Sequence, residues 1–412
     1  MIWFRKYITI DKLTIEVQKR DDRMPKYIWL LAVSITINVI GASFLWPLNT
    51  IYMHNELGKS LAFAGFILML NQGATIIGNL IGGMLFDRFS AYKTLIYSTG
   101  LSLFAAIFLS FNHSIVPYSM MLILIGLGSG ATWPVMFALA GSVWPEGGRR
   151  AFNAMYVAQN LGVALGATFG GYVASISFNY IFIANAIFFF LFFLIVLLTF
   201  KGMEQIKDRH MHTTVIEQKG KIADKSRFTA LIILSVGFFV IWFAYSQWQS
   251  TIASHTQDIG IPLEQYSMLW AINGFLIVAG QPLMKLFKWQ SQKTYIYVGN
   301  AIFLLSFMLT MASEKFIMFA VAMAILTFGE MLVWPAIPTI ANDLAPPGRS
   351  GFYQGFINSV AAAGRMTGPI LGGFIVDYFN IHLLFFVLLF ILFIPFITTA
   401  LFDRNVKNSP KE

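Results

Sequence analysis

The chain alternates long apolar stretches with short polar connections, and this alternation predicts helices that cross a membrane. A helix needs roughly 20 mainly apolar residues to span about 30 Å of hydrocarbon, whereas a barrel strand needs only about 10. Twelve stretches have the length of a helix, and we number them spans 1 to 12: 27–53, 61–86, 94–111, 117–144, 152–176, 179–200, 228–252, 265–287, 294–312, 316–341, 352–377 and 382–402. We therefore predict an all-α membrane protein with twelve transmembrane helices.

One long polar segment divides these spans six and six. It reads KGMEQIKDRHMHTTVIEQKGKIADKSR and is typical of a solvated linker. His210 and His212 within it have no further metal ligands nearby, so they give only a weak signal for a metal site. The predicted organisation is a cytoplasmic N-terminal tail over 1–26, a six-helix bundle over 27–200, the cytoplasmic linker over 201–227, a second six-helix bundle over 228–402 and a cytoplasmic tail over 403–412.

An internal repeat relates the two predicted bundles. Residues 128–147 contain a Gly, then Trp-Pro, then Pro-x-Gly, and the same residues recur at the same spacings in 329–348. Repeats that are separated by an even number of spans have the same orientation in the membrane. We therefore predict two pseudo-symmetric bundles related by an axis along the membrane normal, with a cavity between them.

Composition and charge support a membrane protein and orient it. Charged residues make up 11% of the chain, against roughly 25% in soluble domains, which excludes an ordinary soluble protein. With the N-terminus inside, 25 of the 28 Lys and Arg residues fall on the cytoplasmic side, where basic residues collect. We predict a multi-pass protein of the cell membrane with both termini cytoplasmic. The net charge of +9 then reflects topology and contact with anionic lipids, and we expect no nucleic-acid partner.

The residue types and motifs that the sequence lacks narrow the chemistry. The chain has no Cys, which excludes disulfides and thiolate metal sites. It also lacks the G-x4-G-K-[ST] loop that holds nucleotide phosphates, so an ion gradient remains as the energy source for transport. We expect contacts with membrane lipids, a monomeric protein, and neither a metal nor a cofactor. A small-molecule substrate and protons as the coupling ion are expectations that rest on the family resemblance of the next motifs and on the charges inside the spans.

The loop after span 2 carries a family motif. Residues 83–93 read GMLFDRFSAYK and resemble the G-x-L-x-D-R-x-G-R-x-K loop of the major facilitator superfamily. They depart from this motif at positions 90 and 91, where the family usually has Gly and Arg. The resemblance implies a cytoplasmic gating loop in which Asp87 holds the two bundles together in the outward-open state, with the motif positions Gly83, Asp87, Arg88 and Lys93. A plain cytoplasmic turn is the alternative interpretation.

Two glycine-rich helices resemble the signature G-x3-G-P-x2-G-G of antiporters in the same superfamily, and the chain thus resembles the twelve-helix bacterial drug:proton antiporters. Span 5 lacks the proline of this signature, whereas span 11 contains it. Small residues at every fourth position also let helices pack closely, and a proline loosens a helix locally. We interpret both sets as packing or hinge positions: Gly162, Gly166, Gly170 and Gly171 in span 5, and Gly368, Pro369, Gly372 and Gly373 in span 11.

Two charged residues lie near the middle of predicted spans, where an ionised side chain is costly. Glu330 falls near the middle of span 10 and Arg365 near the middle of span 11, so these consecutive antiparallel helices place them at similar depth. Our hypothesis is that Glu330 binds and releases a proton once per transport cycle. Arg365 would tune the proton affinity of Glu330 or receive the released charge. A permanent ion pair that joins the two helices is the alternative.

In the superfamily, spans 1, 4, 7 and 10 line the cavity between the bundles. By this resemblance we expect a substrate cavity lined by Asn38, Trp46, Asn49, Trp133, Met136, Trp242, Tyr245, Gln247, Trp248 and Trp334. Aromatic faces, Met and a carboxylate suit an amphipathic or cationic organic compound. An unpaired Arg365 would instead favour an anionic substrate, and a neutralised pair would allow a neutral one.

The sequence therefore predicts a secondary transporter that works by alternating access, with proton-coupled export of amphipathic organic compounds as its function. The alternative within this class is a carrier of narrow specificity for a metabolite, a sugar or a lipid-linked compound. A membrane-embedded enzyme would need convergent acids, histidines or a nucleophile with its base. Because few titratable groups fall inside the spans, we predict that the protein is not an enzyme.

Overall fold

The structure, a computed structural model, describes residues 24–45, 48–49, 52–59, 61–217, 225–284, 286–287, 289 and 291–407. All regular elements within these ranges are helical. Those of the first half are α1 (Lys26–Leu45), α2 (Leu61–Arg88), α3 (Ala91–Phe111), α4 (Ile115–Val143), α5 (Arg149–Ile176) and α6 (Phe178–Glu217), with a π-helical turn at Tyr52–Glu56 and a 3-10 turn at Pro145–Gly147.

The second half begins with the long helix α7 and contains several shorter helices. They are α7 (Lys225–Gln247), α8 (Thr251–Asp258), α9 (Leu263–Ala279), α10 (Gln281–Met284), α11 (Gln292–Met311), α12 (Phe316–Leu344), α13 (Ser350–Tyr378), α14 (Ile381–Ile391) and α15 (Ile394–Lys407). The all-α prediction is confirmed for the residues that the structure describes. Helix α6 continues to Glu217 and so includes part of the predicted linker, and the predicted domain limits stay predictions.

Among the described residues, ten helices are long and apolar enough to cross a membrane. Predicted spans 5 and 8 fall outside this set. Helix α5, at span 5, has 28 residues but carries polar side chains such as Asn153 and Asn160. Helix α9, at span 8, has only 17 residues and is followed at Gly280 by the single turn α10. The twelve-span topology and the cytoplasmic location of the termini therefore stay predictions.

The two halves of the chain pair their helices in the same pattern. Helix α1 packs on α5 and α6, and its counterpart α7 packs on α13 and α15. Helix α4 packs on α2 and α3, while α12 packs in the same way on α9 and α11. The turns before α5 and α13 also match, because Gly148 and Gly348 both have positive φ, 46° and 78°, which favours glycine. This pattern is the structural counterpart of the sequence repeat.

The predicted glycine positions lie where these helix pairs approach most closely. A Cβ at Gly166 of α5 would lie 2.6 Å from the carbonyl oxygen of Ile40 in α1. In α13, a Cβ at Gly364 would lie 2.7 Å from the Cβ of Trp242 in α7, and Gly368 and Gly372 face the same helix. Gly162 and Gly170 also face α1, whereas Gly373 borders open space. Close packing thus explains most of both glycine sets.

Candidate functional site

The carboxyl group of Glu330 lies buried at the middle of α12, with 3% of the residue exposed. Its Oε2 accepts a hydrogen bond from Asn273 Nδ2 in α9 at 2.9 Å and one from the Tyr245 hydroxyl in α7 at 3.4 Å. The hydroxyl of Tyr156 in α5 lies beside the same carboxylate. Side chains from both halves therefore converge on Glu330, and all of these partners are neutral.

A second hydrogen bond holds the Asn273 side chain in place. Its Nδ2 also donates to Thr327 Oγ1 at 2.9 Å, and Thr327 lies one turn before Glu330 in α12. The Thr327 hydroxyl in turn donates to the Met323 carbonyl at 2.8 Å. The sequence analysis missed Asn273, Thr327 and Tyr156 as partners. Each is a single polar side chain within a mainly apolar stretch, and the sequence does not show in which direction such a side chain points.

The guanidinium of Arg365 lies elsewhere, over a tryptophan ring. Its Cζ is 4.5 Å from the centroid of the Trp242 ring. Within the described part of the chain, Arg365 makes neither a hydrogen bond nor an ion pair. The structure therefore does not show the direct ion pair with Glu330 that equal depth in neighbouring helices suggested, because the two side chains leave their helices toward different neighbours.

A cluster of aromatic rings connects the two charged groups. Trp242 lies 4.8 Å from Trp334 and 5.4 Å from Tyr245, measured between ring centroids. Phe303 stacks on Trp334 at 5.4 Å. Tyr245 reaches Glu330 at one end of this cluster, and Trp242 contacts Arg365 at the other. We call Trp242, Tyr245, Phe303 and Trp334 the aromatic cluster.

Two of the predicted cavity residues in span 7 have structural contacts instead. Gln247 is fully buried, and its Nε2 donates to the Gly368 carbonyl at 2.8 Å, which ties α7 to α13. Trp248 is also fully buried, and its carbonyl accepts a hydrogen bond from the Tyr266 hydroxyl. Neither residue belongs to the aromatic cluster.

The predicted cavity residues of the first half lie apart from this cluster. Asn49 is buried and accepts a hydrogen bond from the Tyr118 hydroxyl at 2.6 Å. Met136 is buried in the first-half core, and Trp133 packs against Phe137 with ring centroids 6.1 Å apart. Asn38 is buried in α1, while Trp46 lies outside the described residues.

Asp87, at the end of α2, joins the first half to the second. Its Oδ1 accepts from the backbone N–H of Gly351 at 2.8 Å, and its Oδ2 accepts from that of Phe352 at 2.7 Å. These donors belong to the first turn of α13, where the helix dipole also favours a negative charge. Gly83 faces Gly351 without room for a Cβ, which permits this close approach. The motif neighbours Arg88 and Lys93 have exposed side chains.

A second bridge between the halves begins at Arg149, the first residue of α5. Its Nη2 donates to the Met331 carbonyl of α12 at 3.0 Å, and its Cζ lies 3.8 Å from the Tyr295 ring centroid. The Met331 carbonyl lacks its usual donor, because Pro335 one turn later has no N–H. A proline in one half thus frees the acceptor that an arginine of the other half uses. In the sequence, Arg149 stands out only as one of the 25 basic residues on the predicted cytoplasmic side.

Changing Arg149 to Gln should weaken this bridge, because one hydrogen bond from a charged donor contributes about 2 kcal/mol. The chain has no native cysteine, so spin labels at Lys201→Cys and Pro347→Cys, two exposed positions in different halves, report the separation of the halves. We expect the distance distribution to move toward longer distances. With Pro335→Ala present, an N–H at position 335 can bind the Met331 carbonyl, so the same change should have a smaller effect. If Arg149→Gln lengthened the distance equally with and without Pro335→Ala, the Arg149 hydrogen bond would not depend on Pro335.

Comparison with known proteins adds independent information. A family model of the Major Facilitator Superfamily matches residues 31–366, and a second match covers residues 250–412. The uncharacterised transporter YttB of Bacillus subtilis (strain 168), described as MFS-type, is 51% identical over 389 residues, which cover 94% of this chain and 97% of YttB. The multidrug resistance protein MdtH of Aeromonas salmonicida (strain A449) is 25% identical over 365 residues, which cover 85% of this chain and 88% of MdtH.

A solved structure shows the same fold. The crystal structure of the human organic anion transporter MFSD10 superposes with a TM-score of 0.73 and covers 92% of this chain and 100% of MFSD10. The two sequences are 13% identical, so this likeness concerns the fold alone. The family match, the relative at 51% identity and the shared fold lead to one assignment. This chain belongs to the Major Facilitator Superfamily of membrane transporters.

Proposed function

We propose that the protein is a proton-coupled exporter of amphipathic organic compounds. The observation that carries this proposal is the buried Glu330 carboxyl group, whose hydrogen-bond partners Asn273 and Tyr245 are both neutral. An ionised carboxylate in a membrane interior is costly without a cation beside it. The two donors compensate part of that cost, so the group can exist with or without a proton. A group with this property can carry a proton through a transport cycle.

Alternating access is the mechanism that we infer, by rocking of residues 27–200 against residues 228–402. Asp87 at the end of α2 and Arg149 at the start of α5 join the first half to the second. The basic-residue pattern assigns both of these helix ends to the cytoplasmic side. A protein closed at that side corresponds to the outward-facing state. Both bridges have to open before the site can face the cytoplasm. The proposed location is the cell membrane, with both termini in the cytoplasm.

Two features support an amphipathic organic substrate. The partly exposed rings of Trp242 and Trp334 in the aromatic cluster offer apolar surfaces beside one acidic and one basic side chain. Pockets for small organic ligands commonly combine such surfaces with few polar groups. Distant relatives such as MdtH are named multidrug resistance proteins. A carrier of narrow specificity remains the second candidate within the transporter class.

Transport into proteoliposomes with an imposed pH gradient tests the proposal. The probes are ethidium, a cation, and 2-naphthalenesulfonate, an anion, each added to vesicles with and without protein. We expect gradient-dependent movement of at least one probe, which stops when nigericin collapses the pH gradient. Movement that persists after collapse would contradict proton coupling. No movement of either probe, with folded protein, would favour the carrier of narrow specificity.

A further inference from the structure

Arg365 carries a positive charge near the middle of α13, and no described residue accepts a hydrogen bond from its N–H groups. Among the described residues, its guanidinium lies over the face of Trp242, with Cζ 4.5 Å from the ring centroid. A guanidinium has five N–H donors and stays protonated in proteins. A ring face attracts a cation but accepts no conventional hydrogen bond. The position therefore holds several N–H donors that the described residues leave unused.

The neighbouring Trp242 adds a further unused donor. Its Nε1–H is buried and has no hydrogen-bond partner. Buried indole N–H groups usually find an acceptor, because leaving one unpaired costs free energy. A guanidinium and an indole N–H, on side chains in contact, thus both lack an oxygen acceptor. Trp270 shows the ordinary case nearby, since its Nε1 donates to the Tyr266 hydroxyl at 3.1 Å.

The protein's own acidic group does not supply this acceptor. Glu330 Oε2 is bound by Asn273 and Tyr245, and the aromatic cluster lies between the carboxylate and Arg365. Arg149, which bridges the two halves, differs because its Nη2 donates to a backbone carbonyl. Trp248 Nε1 and Arg149 Nε are also buried without a partner among the described residues. The Arg365–Trp242 pair differs from them because it brings a guanidinium and an indole N–H into contact beside the rings of the aromatic cluster.

We propose that Arg365 and Trp242 form an anion-binding subsite, and that the compound carried is an organic anion with an aromatic or apolar body. Its carboxylate or sulfonate oxygens accept hydrogen bonds from the guanidinium and from the indole N–H, and its apolar part packs on the rings of the aromatic cluster. This inference rests on the proposed function, since it names the class of compound exported. Exchange of an anion for an incoming proton moves net positive charge inward, so an interior-negative membrane potential also drives export.

Equilibrium binding in detergent solution tests the subsite with two probes that share one ring system. They are 2-naphthalenesulfonate and trimethyl-(2-naphthyl)ammonium, and isothermal titration calorimetry measures the dissociation constants. We expect the native protein to bind the sulfonate at least about 10-fold more tightly, because charge-assisted hydrogen bonds contribute that much or more. Equal binding, or tighter binding of the ammonium probe, would overturn the proposal.

Substitutions test whether the side chains of Arg365 and Trp242 cause the preference for the sulfonate probe. Arg365→Gln should weaken sulfonate binding about 10- to 100-fold and leave ammonium binding unchanged or stronger. Arg365→Lys should fall between, since it keeps the charge and loses the planar donor array. Trp242→Phe should lower sulfonate affinity, while Trp270→Phe, whose N–H is already paired, should not. If the Arg365→Gln protein is monodisperse and retains the full preference for the sulfonate, the proposed subsite is contradicted.

The binding experiment tests the anion subsite, and the transport experiment tests proton-coupled export, so the two can fail separately. Binding in detergent requires no gradient, so a sulfonate preference without any gradient-driven movement would leave the subsite standing and contradict proton-coupled export. Gradient-driven movement together with equal binding of the two naphthyl probes would contradict the subsite alone.

Discussion

Replacing Glu330 with Gln is expected to abolish proton-driven accumulation while exchange of substrate across the membrane continues. Gln has nearly the same shape and can still accept the hydrogen bond of Asn273, but it cannot carry a proton. If one proton moves per cycle, a gradient of one pH unit supports about a 10-fold concentration ratio in the native protein. In the Glu330→Gln protein we expect a ratio of one. Exchange and accumulation are measured in the same proteoliposomes. A gradient of the probe drives exchange, and a pH gradient drives accumulation.

A second carboxylate of the same helix provides the control. Asp343 lies near the end of α12 with an exposed side chain, so Asp343→Asn makes the corresponding chemical change outside the buried site. We expect this variant to accumulate the probe like the native protein. Accumulation against a gradient by the Glu330→Gln protein would refute the assigned role of Glu330.

Replacing Asp87 with Asn is expected to open the contact between α2 and α13. The carboxylate accepts from two backbone N–H groups at a helix N-terminus, and each such bond to a charged group contributes about 1.5–3 kcal/mol. A neutral amide keeps one oxygen acceptor and loses the interaction with the helix dipole. A loss of about 3 kcal/mol changes the ratio of the two states by more than 100-fold. The spin labels at positions 201 and 347 should therefore report a population at long distance.

Glu204 offers a matched control for this change. Its Oε2 accepts from the Ser90 hydroxyl at 2.8 Å, beside the same loop, but both residues belong to the first half. Glu204→Gln removes a carboxylate from the same region without touching the second half, and we expect the native distance distribution. If Asp87→Asn also left that distribution unchanged, the two N–H contacts would not hold the halves together.

The sequence indicated the residues whose chemistry is unusual for their position. Glu330 was predictable because a lone acid interrupts an apolar stretch, and Asp87 because it occupies a family motif. Arg149 was not predictable as a bridge, since its partner is the backbone carbonyl of Met331, whose availability depends on a proline of another helix. Backbone acceptors leave no mark in the side-chain pattern.

The directions in which side chains leave their helices explain the other differences between the sequence predictions and the structure. Equal depth of Glu330 and Arg365 followed from the sequence, but the rotation of α12 and α13 sends the two side chains to separate neighbours. Gln247 carries a polar group in span 7 as a cavity residue would, yet it faces α13. Because acidic residues are nearly absent from the middle of the spans, the sequence alone singles out Glu330 in α12.

Proton movement driven by the substrate tests the central claim most directly. Proteoliposomes with a pH-sensitive dye trapped inside receive a gradient of whichever probe the protein carries, with no pH gradient imposed and with valinomycin and K⁺ holding the potential at zero. The account predicts proton flow opposite to the probe in the native protein and none in Glu330→Gln, although that variant still carries the probe. Equal proton flow in both proteins, or probe flow without protons in the native protein, would contradict it.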